Sequence, residues 1–148
     1  NRHRGRERES EDDKIVKEIK GNPQGLLGLD RSKVLSHNGF ASEFAKKYRH
    51  KLNTTQLRKF FEKIKNLESL VETEGWSDKV DVEFYQLYPH LAYSKGRDLI
   101  PLGFYDFMVA CLDDIKKEED REKKVERYKR FVMYLEAVVA YHKFHGGK

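Results

Sequence analysis

Residues 54–71 carry the pattern that most restricts the fold. Leu57, Phe60, Phe61, Ile64, Leu67 and Val71 recur at intervals of three and four residues. That spacing puts all six on one face of a helix, whereas a strand would need alternation. Four further segments repeat the pattern: Phe40, Ala41, Phe44, Ala45 and Tyr48; Val80, Phe84, Leu87 and Leu91; Phe104, Phe107, Met108, Cys111 and Ile115; and Val125, Tyr128, Val132, Leu135, Val138 or Val139, and His142. No segment alternates apolar and polar residues between hairpin turns. The chain therefore reads as all-α, a compact helical bundle of about five to six helices, with short connections that make neighbours antiparallel.

Punctuation residues set the boundaries. Ile15, Val16 and Ile19 predict a short helix over residues 13–20, broken by Gly21-Asn22-Pro23-Gln24-Gly25. Residues 26–38 read as irregular, with Gly28 and Gly39 as breaks. A helix over about 40–50 follows. Asn53 or Thr54 then caps the next, which Gly75-Trp76 ends. Ser77 caps a helix with Pro89 inside it, where a kink is expected, and Gly96 as its stop. Pro101 and Gly103 open another, Lys116–Lys124 forms a charged connection, and the last helix runs from about 122 to 144, before Gly146-Gly147. The division is a flexible charged tail at 1–13, an N-terminal helical extension at 14–50 and a core bundle at 51–148.

Charged residues make up 37% and hydrophobic ones 38%, so most of each helix must face water and one stripe the core. Nine Phe, eight Tyr and one Trp supply bulk for that core. The net charge of +5 suits a phosphate-bearing partner without requiring one. Cys111 is the sole cysteine, among Phe107, Met108 and Leu112, which predicts a core thiol rather than a nucleophile and excludes an internal disulfide. With no apolar run long enough to span a bilayer, the expectation is a cytoplasmic chain without a membrane partner.

Nothing in the sequence assembles a reaction centre. Asp113-Asp114 and Glu118-Glu119-Asp120 lie among lysines and read as solvated charge. His142 and His145 sit one helical turn apart, but no carboxylate or cysteine at ligand spacing joins them. No P-loop, zincin pattern or nucleophile elbow appears. The reading is a non-enzyme with no catalytic residues, no metal and no cofactor. An enzyme using His142 or His145 is the competing view.

Basic residues carry a more coherent signal. Lys59 and Lys63 share a stripe with Asn66 on the face opposite the apolar one, Arg58 stands beside them with Glu62 four residues on, and Lys51 precedes the cap. Lys95 and Arg97 follow the Pro-containing helix, Lys129 and Arg130 lie mid-way along the last one, and Lys143 near its end. No aromatic platform for bases is visible, so contact with a nucleic-acid backbone, without base reading, is expected.

Three stretches resemble the small subunit of the type III-A CRISPR (Csm) effector complex. Leu52-Asn53-Thr54-Thr55-Gln56-Leu57-Arg58 is similar to that family's helix-opening motif. Leu87-Tyr88-Pro89-His90-Leu91-Ala92-Tyr93-Ser94-Lys95-Gly96-Arg97 resembles its Pro-x-Leu-Ala-Tyr-x-x-Gly-Arg segment. Residues 134–148, with Glu136-Ala137 and Ala140-Tyr141-His142-Lys143 before Gly146-Gly147, resemble its C-terminal signature. The resemblance implies a helical bundle without an active site, stacked in several copies along a guide RNA–target RNA duplex. Its implied partners are those RNAs, neighbouring copies of itself, the repeating backbone subunit and the large subunit. Arg58, Lys95, Arg97 and Lys143 fall within these motifs and become RNA-facing candidates; Lys51, Lys59 and Lys63 rest on the patch alone. Tyr93, Tyr141 and His142 are expected to pack the bundle or a subunit interface. A free-standing helical nucleic-acid-binding regulator, or the small subunit of a sister type III complex, is the alternative.

Overall fold

The computed structural model describes residues 13–148, and among them every regular element is helical. In chain order these are α1 (Lys14–Gly21), a 3-10 turn (Gly25–Gly28), α2 (Arg31–Leu35), α3 (Phe40–Lys47), α4 (Thr54–Glu74), α5 (Asp78–Gly96), α6 (Leu102–Lys116) and α7 (Arg121–Phe144). The all-α expectation holds. Residues 26–38, expected to be irregular, hold the 3-10 turn and α2. The sequence signal missed there is Asp30, whose Oδ1 accepts from the Ser32 amide at 2.9 Å and caps a helix too short to show a stripe.

The three longest helices start where side chains satisfy their free amides. Asn53, rather than Thr54, caps α4, its Oδ1 accepting from the amides of Thr55 at 2.8 Å and Gln56 at 3.3 Å. Ser77 Oγ accepts from the Val80 amide at 3.1 Å, and Asp120 Oδ1 from the Glu122 amide at 3.1 Å. Pro89 sits within α5 without ending it.

α7 is the axis of the molecule. It packs against α3 and α4, and also touches α2, α6 and the 3-10 turn. Accordingly Tyr128, Phe131, Val132, Tyr134, Leu135, Val138 and His142 are all buried. The Tyr128 hydroxyl donates to the Ile64 carbonyl at 2.6 Å, which satisfies its one polar atom inside the core. Leu57, Phe60, Ile64, Leu67 and Val71 line the buried face of α4, while Phe61 is half-buried beside them. Cys111 is fully enclosed and burial pushes its thiol well up, as a core residue requires.

The expected tail at 1–13 lies outside the described residues except for Asp13. That residue is buried, and its carboxylate accepts from Lys47 Nζ at 2.6 Å and from the Tyr48 hydroxyl at 2.7 Å. A second buried carboxylate corrects the solvated reading of Asp113-Asp114. Asp113 is exposed, taking a bond from the Tyr88 hydroxyl at 2.7 Å. Asp114, however, is 3% exposed and meets the Arg127 guanidinium at 2.9 Å. Asp114 Oδ2 also accepts from the Leu26 amide at 2.9 Å, while Arg127 donates to the Gln24 carbonyl at 2.7 Å and to Glu118 at 2.9 Å. Gly25 completes the site. Its φ is +53°, and a Cβ there would stand 1.8 Å from Asp114 Oδ1.

Asp114→Ala leaves the buried Arg127 charge with Glu118 as its remaining carboxylate and takes the acceptor from the Leu26 amide. It should lower the unfolding free energy by about 3–5 kcal/mol in urea titration, whereas replacing both partners with leucine should cost clearly less.

Candidate nucleic-acid interface

The apolar stripe of α4 faces inward, so its polar face turns out beside α5, against which it packs. Lys59, Lys63 and Asn66 stand on that outer face at helical spacing. The second half of α5 supplies the opposite wall: His90, Tyr93 and Ser94, with Arg97 just beyond its end. Gln56 and Leu99 close one end, and Glu62 is the acidic group within the groove.

Gln56 and Leu99 also border a second open depression, which joins the groove at the start of α4. Arg49, His50, Lys51, Asn53, Thr55, Asp98 and Lys148 line it. The loop that carries Lys51 is fixed from the far end of the chain. His142 is 1% exposed, and its Nε2 lies 2.6 Å from the Leu52 carbonyl oxygen. A carbonyl only accepts, so Nε2 carries the proton. The Gly147 amide donates back to the His142 carbonyl at 2.8 Å, and a Cβ on Gly147 would fall 2.1 Å from the imidazole. The terminal turn thus seats the histidine that seats the loop.

Of the seven sequence-marked cations, the fold brings Lys59, Lys63 and Arg97 to the groove and Lys51 to the adjoining depression. Arg58 is exposed on α4 but lines neither. Lys95 also lies outside both, with its Nζ 3.8 Å from Asp98 Oδ1, and Lys143 is exposed on the last turn of α7. Tyr141 and His142 pack the bundle as expected, Tyr141 donating to the Leu35 carbonyl at 2.7 Å. Tyr93 does not pack within the bundle, the first of its two expected places: it is 60% exposed in the groove wall. His90, Gln56, Asn66, Arg49 and Lys148 were not marked as site residues by sequence reasoning.

The two histidines at metal-like spacing are turned to separate partners. While His142 holds Leu52, His145 Nε2 meets Ser42 Oγ at 2.9 Å and its ring stacks on Tyr141. Among the described residues no His, Cys, Asp and Glu side chains gather in a group of three able to hold a metal. No helix among them is long and apolar enough to cross a membrane.

Fold and groove together define an all-α bundle with an open, cation-lined cleft between two helices. The family model described as Csm2 Type III-A matches residues 32–148. A curated relative, the "CRISPR system Cms protein Csm2" of Streptococcus thermophilus, is 30% identical over 98 residues, which cover 66% of this chain and 75% of that protein. No solved structure matches the chain. The chain belongs to the Csm2 family of type III-A CRISPR systems, a small Csm subunit.

The groove's field is readable through His90. Burial holds this imidazole below its ordinary value, and the Lys63 charge depresses it further. Its ring packs against Phe60 at 5.0 Å between centroids. Because the folded state favours the neutral ring, this contribution to stability is present above the ordinary histidine value. It is lost as pH falls through that value toward the depressed one. An NMR titration should place the His90 midpoint below that of an unstructured histidine. Lys63→Gln should raise the midpoint partway, since burial remains.

Proposed function

We propose that this chain is a non-catalytic small subunit of an RNA-guided type III-A interference complex. It stacks in several copies along the guide RNA–target RNA duplex and grips the phosphate backbone through basic residues. The observation that carries the reading is the gathering of Lys59, Lys63 and Arg97 in one groove, with Lys51 beside it, in a chain of the Csm2 family. Lysine offers point charges to phosphate and arginine a planar fork, and an open cleft between helices suits an extended polyanion better than a small substrate. The complex's repeating backbone subunit, its large subunit and neighbouring copies of this chain are the protein partners. Arg58, Lys95 and Lys143 line neither the groove nor the adjoining depression and serve as secondary contacts.

The test is target-RNA binding by the purified complex as a function of salt. Replacing Lys59, Lys63 and Arg97 together by glutamine should weaken binding. It should also reduce the slope of log affinity on log salt by about 2 to 3 for each engaged copy. An unchanged slope would show that the groove does not carry phosphate.

A further inference from the structure

We infer that Tyr93 is a stacking platform for an unpaired nucleobase, so that the α4–α5 groove takes a nucleotide turned out of its stack as well as a phosphate backbone. This rests on the reading that the groove binds RNA, and it changes what the groove prefers.

Tyr93 is a large aromatic side chain left 60% exposed, although it stands on a helix whose other face fills the core. Its ring is nevertheless held. The Arg97 guanidinium carbon lies 5.6 Å from the ring centroid, and Arg97 Nη1 donates to the phenol oxygen at 3.0 Å. Through these two contacts Arg97 restrains the ring from one side and leaves the remainder open. Such a ring is oriented before any ligand arrives, so little ordering entropy is left to lose on stacking. Every base has a π-face, and a base on tyrosine with a neighbouring arginine is the arrangement used for unpaired nucleic acid.

The surroundings favour a nucleotide over an apolar peptide. Lys59 and Lys63 on α4 are placed for phosphates, while Gln56 and Asn66 offer uncharged donors and acceptors for a base edge. An apolar side chain in the same position would strip water from three cations and return nothing to them. A fully stacked duplex would reach the cations but not the ring, because its base faces are covered.

The test uses the purified complex containing the full chain, loaded with guide and target RNA and irradiated with short-wavelength ultraviolet light. Peptides from this chain are then searched for nucleotide adducts. The expected result is an adduct on the peptide holding Tyr93, kept in Tyr93→Phe and lost in Tyr93→Leu. Tyr93→Leu should also weaken target-RNA binding by about 5- to 150-fold per stacked base. Adducts at Lys59 or Lys63 with none at Tyr93 would overturn stacking and leave the groove's RNA role intact. No adduct anywhere on the chain would overturn both. If Tyr93→Leu drops out of the complex while the unaltered chain forms no adduct at Tyr93, the ring serves a protein contact and the inference fails.

Discussion

A carboxylate and a guanidinium, both almost wholly buried, hold the molecule to one arrangement. Asp114 on α6 and Arg127 on α7 would each be costly to bury alone, and together they still need partners for their remaining lone pairs and protons. The backbone at Gln24 and Leu26 supplies two of them. The 3-10 turn is therefore fixed by charge as well as by the burial of Leu26, and α1 packs onto α6 nearby. Only a glycine at position 25 lets the backbone come this close to the carboxylate. Two adjoining helices and a turn far back in the sequence meet at a point where a single change of size or charge is costly.

The groove depends on that arrangement indirectly, through α7. One end of this helix carries Arg127, and the other carries His142, which holds the loop before α4. Between them, Tyr128 bonds the middle of α4. The helix that presents Lys59 and Lys63 is thus secured at its start and along its length by a helix that touches no part of the groove. This is the geometry a binding surface needs, since cations displaced by an ångström lose their register with phosphates.

Much of this could be read from the sequence because most of the fold obeys one period. The stripes of α4 and α5 named the core residues, and Asn53, Ser77 and Gly75 named the ends. What escaped had specific causes. Asp114 looks like its neighbour Asp113, and only the angle around α6 separates them, one inward and one to solvent. Its partner lies thirteen residues on and its other contact eighty-eight residues back, beyond any local pattern. Tyr93 was expected to pack the bundle or a subunit interface, and the first option fails because the buried series Val80, Phe84, Leu87, Leu91 continues to Ser94. Periodicity puts the tyrosine one position off the stripe, so its exposure was legible. Its pairing with Arg97 was also within reach, at the one-turn spacing. The meeting of the α4 lysines with the α5 residues required the fold.

Pro89 divides α5 into halves with different attachments. Before it, Val80 and Phe84 are locked in the core, with Trp76 against Phe84 at 5.2 Å between ring centroids. After it come the residues that wall the groove. Proline donates no bond to the carbonyl of Tyr85, so one of the rungs joining the two halves is missing. Mechanically, α5 is a beam thinned at its middle and held on both sides of the notch, since Leu91 and Ser94 are buried beyond it. Under load from a bound chain, flexure concentrates at Pro89 while both halves keep their register with the core.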